Sequence, residues 1–332
     1  MIGIQVLDRP ASQRFYAVAG RLLFIETFDR HLAARIERLF CGWQLTPVSF
    51  SERRPNVNIA FYCCEDLPRI PSSFSVSQVD VAHGGRLYTA TDSYYLVFEN
   101  CLLHVAPLAA ATKSVDVTVW VKQSHGPTDV ELARVTSFAV CAALRRYGLF
   151  ELHAAGVVVP ESNDGVLIVG PSGSGKSTLT LQLATAQWDY LSDDELLLSA
   201  VAESVEARGF RGFFAVAPAA ASAGAPGSWK TCFEPASVFA KHAVPSIVPR
   251  FVLFTSISGT KETRVRKLDQ AKAMTRLIRA CPWATYDTAV AGPNLKLLSQ
   301  LARQVTSFDL FAGTDLLDST QASGIIRTAC HA

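Results

Sequence analysis

Eight residues near the middle of the chain, Gly170-Pro171-Ser172-Gly173-Ser174-Gly175-Lys176-Ser177, fill the pattern G-x-x-x-x-G-K-[ST]. These residue types suit a phosphate. Glycines at 170, 173 and 175 allow backbone geometries that turn successive N–H groups toward one point, and a helix opening at the end of the loop adds its positive N-terminus. Lys176 can reach β- and γ-phosphates, the Ser177 hydroxyl can ligate Mg²⁺, and Thr178 continues the same turn. The expected ligands are ATP and Mg²⁺.

Holding a phosphate is not yet transferring one. Asp193 and Asp194 follow Lys176 by 17 and 18 positions, in "YLSDDELLL". One carboxylate of such a pair can hold Mg²⁺ or its water shell while the other accepts the proton of an attacking hydroxyl. His153 precedes Lys176 by 23 positions in "LHAAGVVV", where a lone histidine reads first as a satisfied core residue.

The elements around these residues must form an open sheet if the groups are to meet. "LHAAGVVV", "GVLIVG", "YLSDDELLL" and "RFVLFTSI" are apolar runs that suit buried strands, the third ending on the acidic pair. "STLTLQLATAQ", "LDQAKAMTRLIRA" and "PNLKLLSQLARQV" have helical character. Strands and helices interleaved around a central glycine-rich loop predict an α/β domain, with the carboxyl ends of its strands sharing one edge. From Arg21 to about Lys122, short alternating runs such as "RLLFIE", "VNIAFYC" and "VDVTVWV" predict a strand-rich α+β unit, interrupted by one helix, "DRHLAARIERLF". Pro127 marks the break, giving domains over 1–127, for substrate or partner recognition, and 128–332.

Composition bounds the rest. With 332 residues, two domains are the expectation, and 49% hydrophobic against 18% charged residues argues for a folded chain rather than a disordered one. A net charge of +2 gives no global sign of nucleic-acid or membrane binding. The eight cysteines show no C-x-x-C pair and sit mostly in apolar contexts, which suits buried thiols in a reducing compartment. No leader or membrane-spanning run is visible, so a soluble cytoplasmic protein is expected. Residues 213–230, rich in Ala, Gly and Pro, read as a surface loop or as a lid beside the site. Lys261, Arg264, Arg266, Lys267, Lys272, Arg276 and Arg279 form a basic cluster, read as a solvated face or as a means of steering an acidic peptide or a carboxylate.

The stretch "LHAAGVVV…GVLIVGPSGSGKSTLTLQLATAQWDYLSDDELLL" resembles the catalytic core of the HPr kinase/phosphorylase family. That resemblance implies a fold of the HPr kinase/phosphoenolpyruvate carboxykinase type for the P-loop domain. It implies that Asp194 takes the proton from an acceptor serine, that Lys176 and His153 contact the phosphates, and that Ser177 and Asp193 hold Mg²⁺. In the family a strand bearing Glu-x-Arg-Gly supplies a further metal ligand, and "EARG" makes Glu206 its counterpart here, with Arg208 and Arg211 flanking the site. The first 130 residues are unlike the family's usual N-terminal domain, so the chain looks more like its divergent branch. Some members of that branch modify ribosomal peptides such as lasso-peptide precursors, and others modify small hydroxylated molecules. Family members often assemble as homo-oligomers. The resulting expectation is a kinase for a serine-type hydroxyl of a peptide or small protein; a small-molecule kinase and a nucleotide-binding module without phosphotransfer are the alternatives.

Overall fold

The computed structural model describes residues 9–49, 55–81, 84–109, 114–124, 126–216, 231–239 and 244–331. Most of the Ala/Gly/Pro-rich segment at 213–230 lies outside the described residues. The chain divides into two units, Met1–Leu149 with Thr285–Ala291, and Phe150–Ala284 with Gly292–Ala332.

The first unit is one sheet with helices. Its elements are β1 (Ser12–Val18), β2 (Arg21–Thr27), α1 (Arg30–Phe40), β3 (Thr46–Val48), β4 (Val57–Cys64), β5 (Ser75–Val81), β6 (Gly85–Ala90), β7 (Ser93–Val97), β8 (Cys101–Val105), β9 (Val115–Lys122) and α2 (Asp129–Arg145). The nine strands lie in the order β3-β1-β2-β4-β9-β8-β7-β6-β5. Period-two patterning places Val115, Val117, Val119 and Val121 of β9 on the buried face. The Asp29 side chain caps α1 by accepting from Leu32 N at 2.8 Å, and Thr128 caps α2 by accepting from Glu131 N at 3.2 Å.

The unit boundary falls at Leu149/Phe150, not at 127/128 as the break at Pro127 suggests. The reason is packing: α2 buries Leu132, Val135, Ala139 and Val140 and lies against β4, β8 and β9. Thr285–Ala291 returns to this unit from far along the chain. There Asp287 meets two arginines from the end of α2, Arg145 Nε at 3.5 Å and Arg146 Nη1 at 2.9 Å, and all three side chains are almost fully buried. Arg145 also donates to the Tyr94 hydroxyl at 2.8 Å.

All seven cysteines whose side chains are described are free thiols. Burial, helped by Asp29 and Cys64, pushes Cys63 up to about 11, so this vicinal pair is not a reactive thiolate at neutral pH. Among the described residues no helix is long and apolar enough to cross a membrane.

The second unit holds two larger sheets. Its elements are β10 (Phe150–Leu152), β11 (Ala154–Val158), β12 (Gly165–Val169), α3 (Lys176–Thr185), β13 (Asp189–Ser192), β14 (Leu196–Val201), β15 (Ser204–Gly209), β16 (Phe214–Val216), β17 (Thr231–Phe233), β18 (Ser246–Ile247), β19 (Pro249–Ile257), β20 (Arg264–Leu268), α4 (Gln270–Ala280), α5 (Trp283–Tyr286, which ends in the returning segment), α6 (Thr288–Gln304, which begins in it), β21 (Thr306–Ala312) and α7 (Ser319–His331). Six strands run β13-β11-β12-β19-β21-β20, and four run β10-β14-β15-β18. In the larger sheet β12, β19 and β21 are parallel, while β11 and β20 oppose their neighbours. One face of this sheet packs Ile168, Leu253 and Leu310 against Leu179 and Leu183 of α3 and Ile326 of α7.

"YLSDDELLL" is not one strand. It breaks into β13 and β14, which belong to different sheets, and the acidic residues are the crossing between them.

Candidate phosphoryl-transfer site

The chain passes between the two sheets at two places in this region, and both carry candidate residues. His153 is the single residue between β10 of the smaller sheet and β11 of the larger; Asp193, Asp194 and Glu195 are the three residues between β13 and β14. Because Leu152 of β10 pairs with Leu196 of β14, the two crossings are neighbours. β11 runs antiparallel to β12 with Ala154 opposite Val169, so His153 stands one residue beyond that pair, beside the start of the loop at Gly170. β13 is antiparallel to β11 and therefore runs with β12, which brings its carboxyl end to the edge where the loop begins.

The loop itself is strand–loop–helix, from β12 into α3. Gly173 and Gly175 have φ of 80° and 92°, the left-handed region that favours glycine. Gly170 is required for a different reason: a Cβ there would lie 2.5 Å from Ser174 Oγ and 2.7 Å from Thr255 Oγ1. Ser174 is buried and its hydroxyl meets Thr255 Oγ1 at 3.0 Å, tying the loop to the end of β19. Pro171, Ser172 and Gly173 are exposed, while Ser177 and Thr178 are half-buried in the first turn of α3. The first N–H groups of that helix lack intrahelical partners and are available to an anion.

Lys176 is buried, and its Nζ donates to Gly170 O at 2.7 Å and Pro171 O at 3.2 Å. Nζ also meets His153 Nε2 at 3.0 Å, and His153 Nδ1 lies 3.2 Å from Asp194 Oδ1. An ammonium has no lone pair, so with Lys176 charged Nε2 accepts and the proton of the ring sits on Nδ1, facing Asp194. The other oxygen of Asp194 pairs with Arg211 Nη1 at 3.0 Å, and Arg211 Nε reaches Glu195 Oε2 at 3.1 Å. Lys176, His153, Asp194, Arg211 and Glu195 thus form one continuous polar chain.

Asp193 faces differently. It is 1% exposed, its Oδ2 accepts from Ala215 N at 2.9 Å, and its buried Oδ1 has no hydrogen-bond partner among the described residues. Burial, above all, raises its pKa over the ordinary carboxylate value. The Ala215 N–H pulls it back, Asp194 raises it, and Ser177 and Arg211 lower it. The Ser177 hydroxyl stands beside this carboxyl. A buried carboxylate oxygen without a partner, with a hydroxyl beside it, fits a divalent cation that takes its remaining ligands from phosphate and water. Among the described residues no group of three or more His, Cys, Asp or Glu could hold a metal by itself.

Glu195 is raised by burial, with Arg211 working against that rise. Burial opposes the charge of Arg211, yet Glu195 and Asp194 more than offset it and its pKa stands above the ordinary arginine value.

The structure does not bring Glu206 to the metal position. It lies on β15 opposite Ser199, four residues along β14 from Glu195 and so about 13 Å away at strand rise. Its carboxylate is 2.6 Å from Arg208 on the same strand. Of the two flanking arginines only Arg211, beyond the end of β15, reaches the acidic crossing. Glu195 and Thr255 are not among the residues expected from the sequence; the third acidic residue of "SDDE" is a signal for the first, and nothing in the sequence marks the second.

No family model matches the chain, and no curated protein matches it. Among solved structures it is similar to the HPr(Ser) kinase/phosphatase from Coxiella burnetii, at 12% identity and a TM-score of 0.32, covering 54% of this chain and 95% of that one.

Proposed function

We propose that the chain is an ATP-dependent kinase that transfers the γ-phosphoryl group to a serine-type hydroxyl of a peptide or small protein. The observation that carries the reading is the convergence at one sheet edge of the glycine-rich loop, the Lys176–His153–Asp194 chain, and Asp193 beside Ser177. A loop of this kind grips phosphates; a carboxylate held by a histidine and an arginine is placed to take a proton.

In this reading Lys176 leaves the carbonyls of its own loop for the phosphates, and the N–H groups at the start of α3 bind the same oxygens. Ser177 and Asp193 would hold Mg²⁺, which, when bound, neutralises phosphate charge. Asp194 accepts the hydroxyl proton as the new O–P bond forms and the bond between the β-phosphate's bridging oxygen and the γ-phosphorus breaks, leaving ADP. The proton then passes from Asp194 to solvent. His153 and Arg211 fix the two oxygens of Asp194, so its orientation is set before the acceptor arrives.

The test is to incubate the purified full chain with γ-labelled ATP and Mg²⁺, offering serine-containing peptides, including a ribosomal precursor peptide, and separately free hydroxylated compounds. Label on a peptide serine supports the proposal. Label only on free compounds, or nucleotide binding with no labelled product, overturns it in favour of a small-molecule kinase or a non-catalytic module.

A further inference from the structure

β20 is the outer strand of the six-stranded sheet, and among the described residues nothing pairs with its free edge. Along it Arg264, Arg266 and Lys267 are exposed. Arg264 and Arg266, two apart, share one face, whereas Lys267 points to the other. The face of Arg264 and Arg266 is also that of α4: buried Asp309 of β21 takes both Arg266 Nη2, at 2.8 Å, and Arg276 Nη1 from α4. Lys272, Arg276 and Arg279, spaced four and three apart, fall on one side of that helix.

The two paired arginines are held ready at the surface. Arg266 stacks over Phe311 at 5.6 Å and Arg276 over Phe254 at 5.4 Å, so their planes are fixed, which lowers the ordering cost of meeting a carboxylate. One aspartate serves both. Lys272 has Asp269 at 2.6 Å, while Arg264 and Arg279 make no ion pair among the described residues. Cationic side chains alone would blunt a sheet edge against aggregation. They would not require the same sign to continue across the adjoining helix, beside unpaired strand N–H and C=O groups.

We infer that this edge and face dock an acidic peptide segment in extended form, as an added strand whose alternate carboxylates lie over Arg264, Arg266 and the arginines of α4. The inference rests on the kinase reading and names its substrate class. Strand order gives the reach. Arg264 stands opposite Phe311, and Phe311 is level with Ser256, next to the Thr255 that binds the loop. From the added strand outside β20 to β12 is four strand spacings, about 19 Å, or roughly six extended residues. The acceptor serine therefore belongs about that far from the acidic stretch.

The test measures binding without nucleotide, by fluorescence anisotropy of a labelled twelve-residue peptide alternating Glu with Thr, on the full chain. Expected are binding that weakens about tenfold or more between low and moderate salt, no binding of the Gln-for-Glu peptide, and loss when alternate peptide nitrogens are methylated to block strand pairing. Arg264→Glu with Arg279→Glu should weaken binding at least about tenfold, while Lys267→Glu, the same charge change on the opposite face, should cost less than about threefold. Equal losses from both substitutions, unaltered binding by the double variant with an unchanged melting curve, or tighter binding of a DNA duplex or phosphatidylserine vesicle would overturn the inference. If the double variant does not fold, Arg264→Gln and Arg279→Gln are compared singly with Lys267→Gln by the same criterion. Peptide binding with no phosphotransfer would leave the surface standing and remove the kinase; phosphotransfer to a neutral serine peptide without acidic-peptide binding would do the reverse.

Discussion

His153 and Lys176, 23 residues apart in sequence, meet through Nε2 and Nζ at 3.0 Å, and the same lysine is held by two carbonyls of its own loop. The ammonium that would grip phosphate in the proposed kinase is thus already buried and partnered. In the proposed reading a nucleotide would gain Lys176 only by exchanging these contacts for phosphate oxygens. His153, once relieved of the lysine, can turn Nε2 to a phosphate while Nδ1–H stays on Asp194.

Lys176→Met should remove that exchange. We expect nucleotide affinity and phosphotransfer to fall by about 10²-fold or more, since a charge aimed at the phosphates is lost from a buried site. Titration calorimetry with ATP reads the binding, and unchanged affinity would sink the assignment.

Asp194→Asn separates binding from chemistry. The amide keeps the shape but cannot take a proton, so kcat should drop about 10²–10⁴-fold while ATP affinity stays within a few-fold. A variant with ordinary turnover on any accepted peptide would show that another group is the base.

Gly170→Ala tests the packing of the loop on β19. The added methyl meets Ser174 Oγ, Thr255 Oγ1 and the Thr255 carbonyl, all under 3 Å, so we expect a loss of about 1–3 kcal/mol in urea unfolding together with weakened ATP binding.

Asp193 predicts a pH dependence. Its pKa is raised in the folded state, so the folded chain binds the proton more tightly than the unfolded one. That contribution favours folding below the ordinary carboxylate pKa and is lost as pH rises through the folded value. A bound cation needs the ionised form. Mg²⁺ affinity in the presence of ADP should therefore fall on acidification at a pH above the ordinary range of about 4. Asp193→Asn should abolish the effect, and a pH-independent Mg²⁺ affinity would contradict the assignment.

Asp287→Asn should destabilise the N-terminal unit by about 3–5 kcal/mol, because Arg145 and Arg146 would remain buried without their counter-charge. Denaturant unfolding followed by near-ultraviolet circular dichroism would measure it.

Much of the second unit is legible in the sequence, for a physical reason. Strands buried on both faces, such as "GVLIV" and "RFVLFTSI", read as continuous apolar runs, and a glycine-rich loop with a lysine constrains its own geometry. What the same rule hides is where one apolar run changes sheet: "YLSDDELLL" has no period that separates β13 from β14. The acidic residues look like the end of a strand when they are a passage between sheets. Glu206 shows the opposite failure, where a short pattern matched but the β14–β15 register carries the residue four positions from the crossing. Nothing local to residues 285–291 announces that they belong with the first unit, since that follows from where two distant arginines need a carboxylate.

The placement of Asp287 has a consequence during synthesis. The ribosome makes Arg145 and Arg146 about 140 residues before it makes their buried partner. At about 5–20 residues per second that is a wait of roughly seven to thirty seconds, during which all of residues 150–284 are made. The N-terminal unit is therefore finished late, and a nascent chain stalled before Asp287 carries two arginines in search of an anion, an opening for a chaperone or a protease.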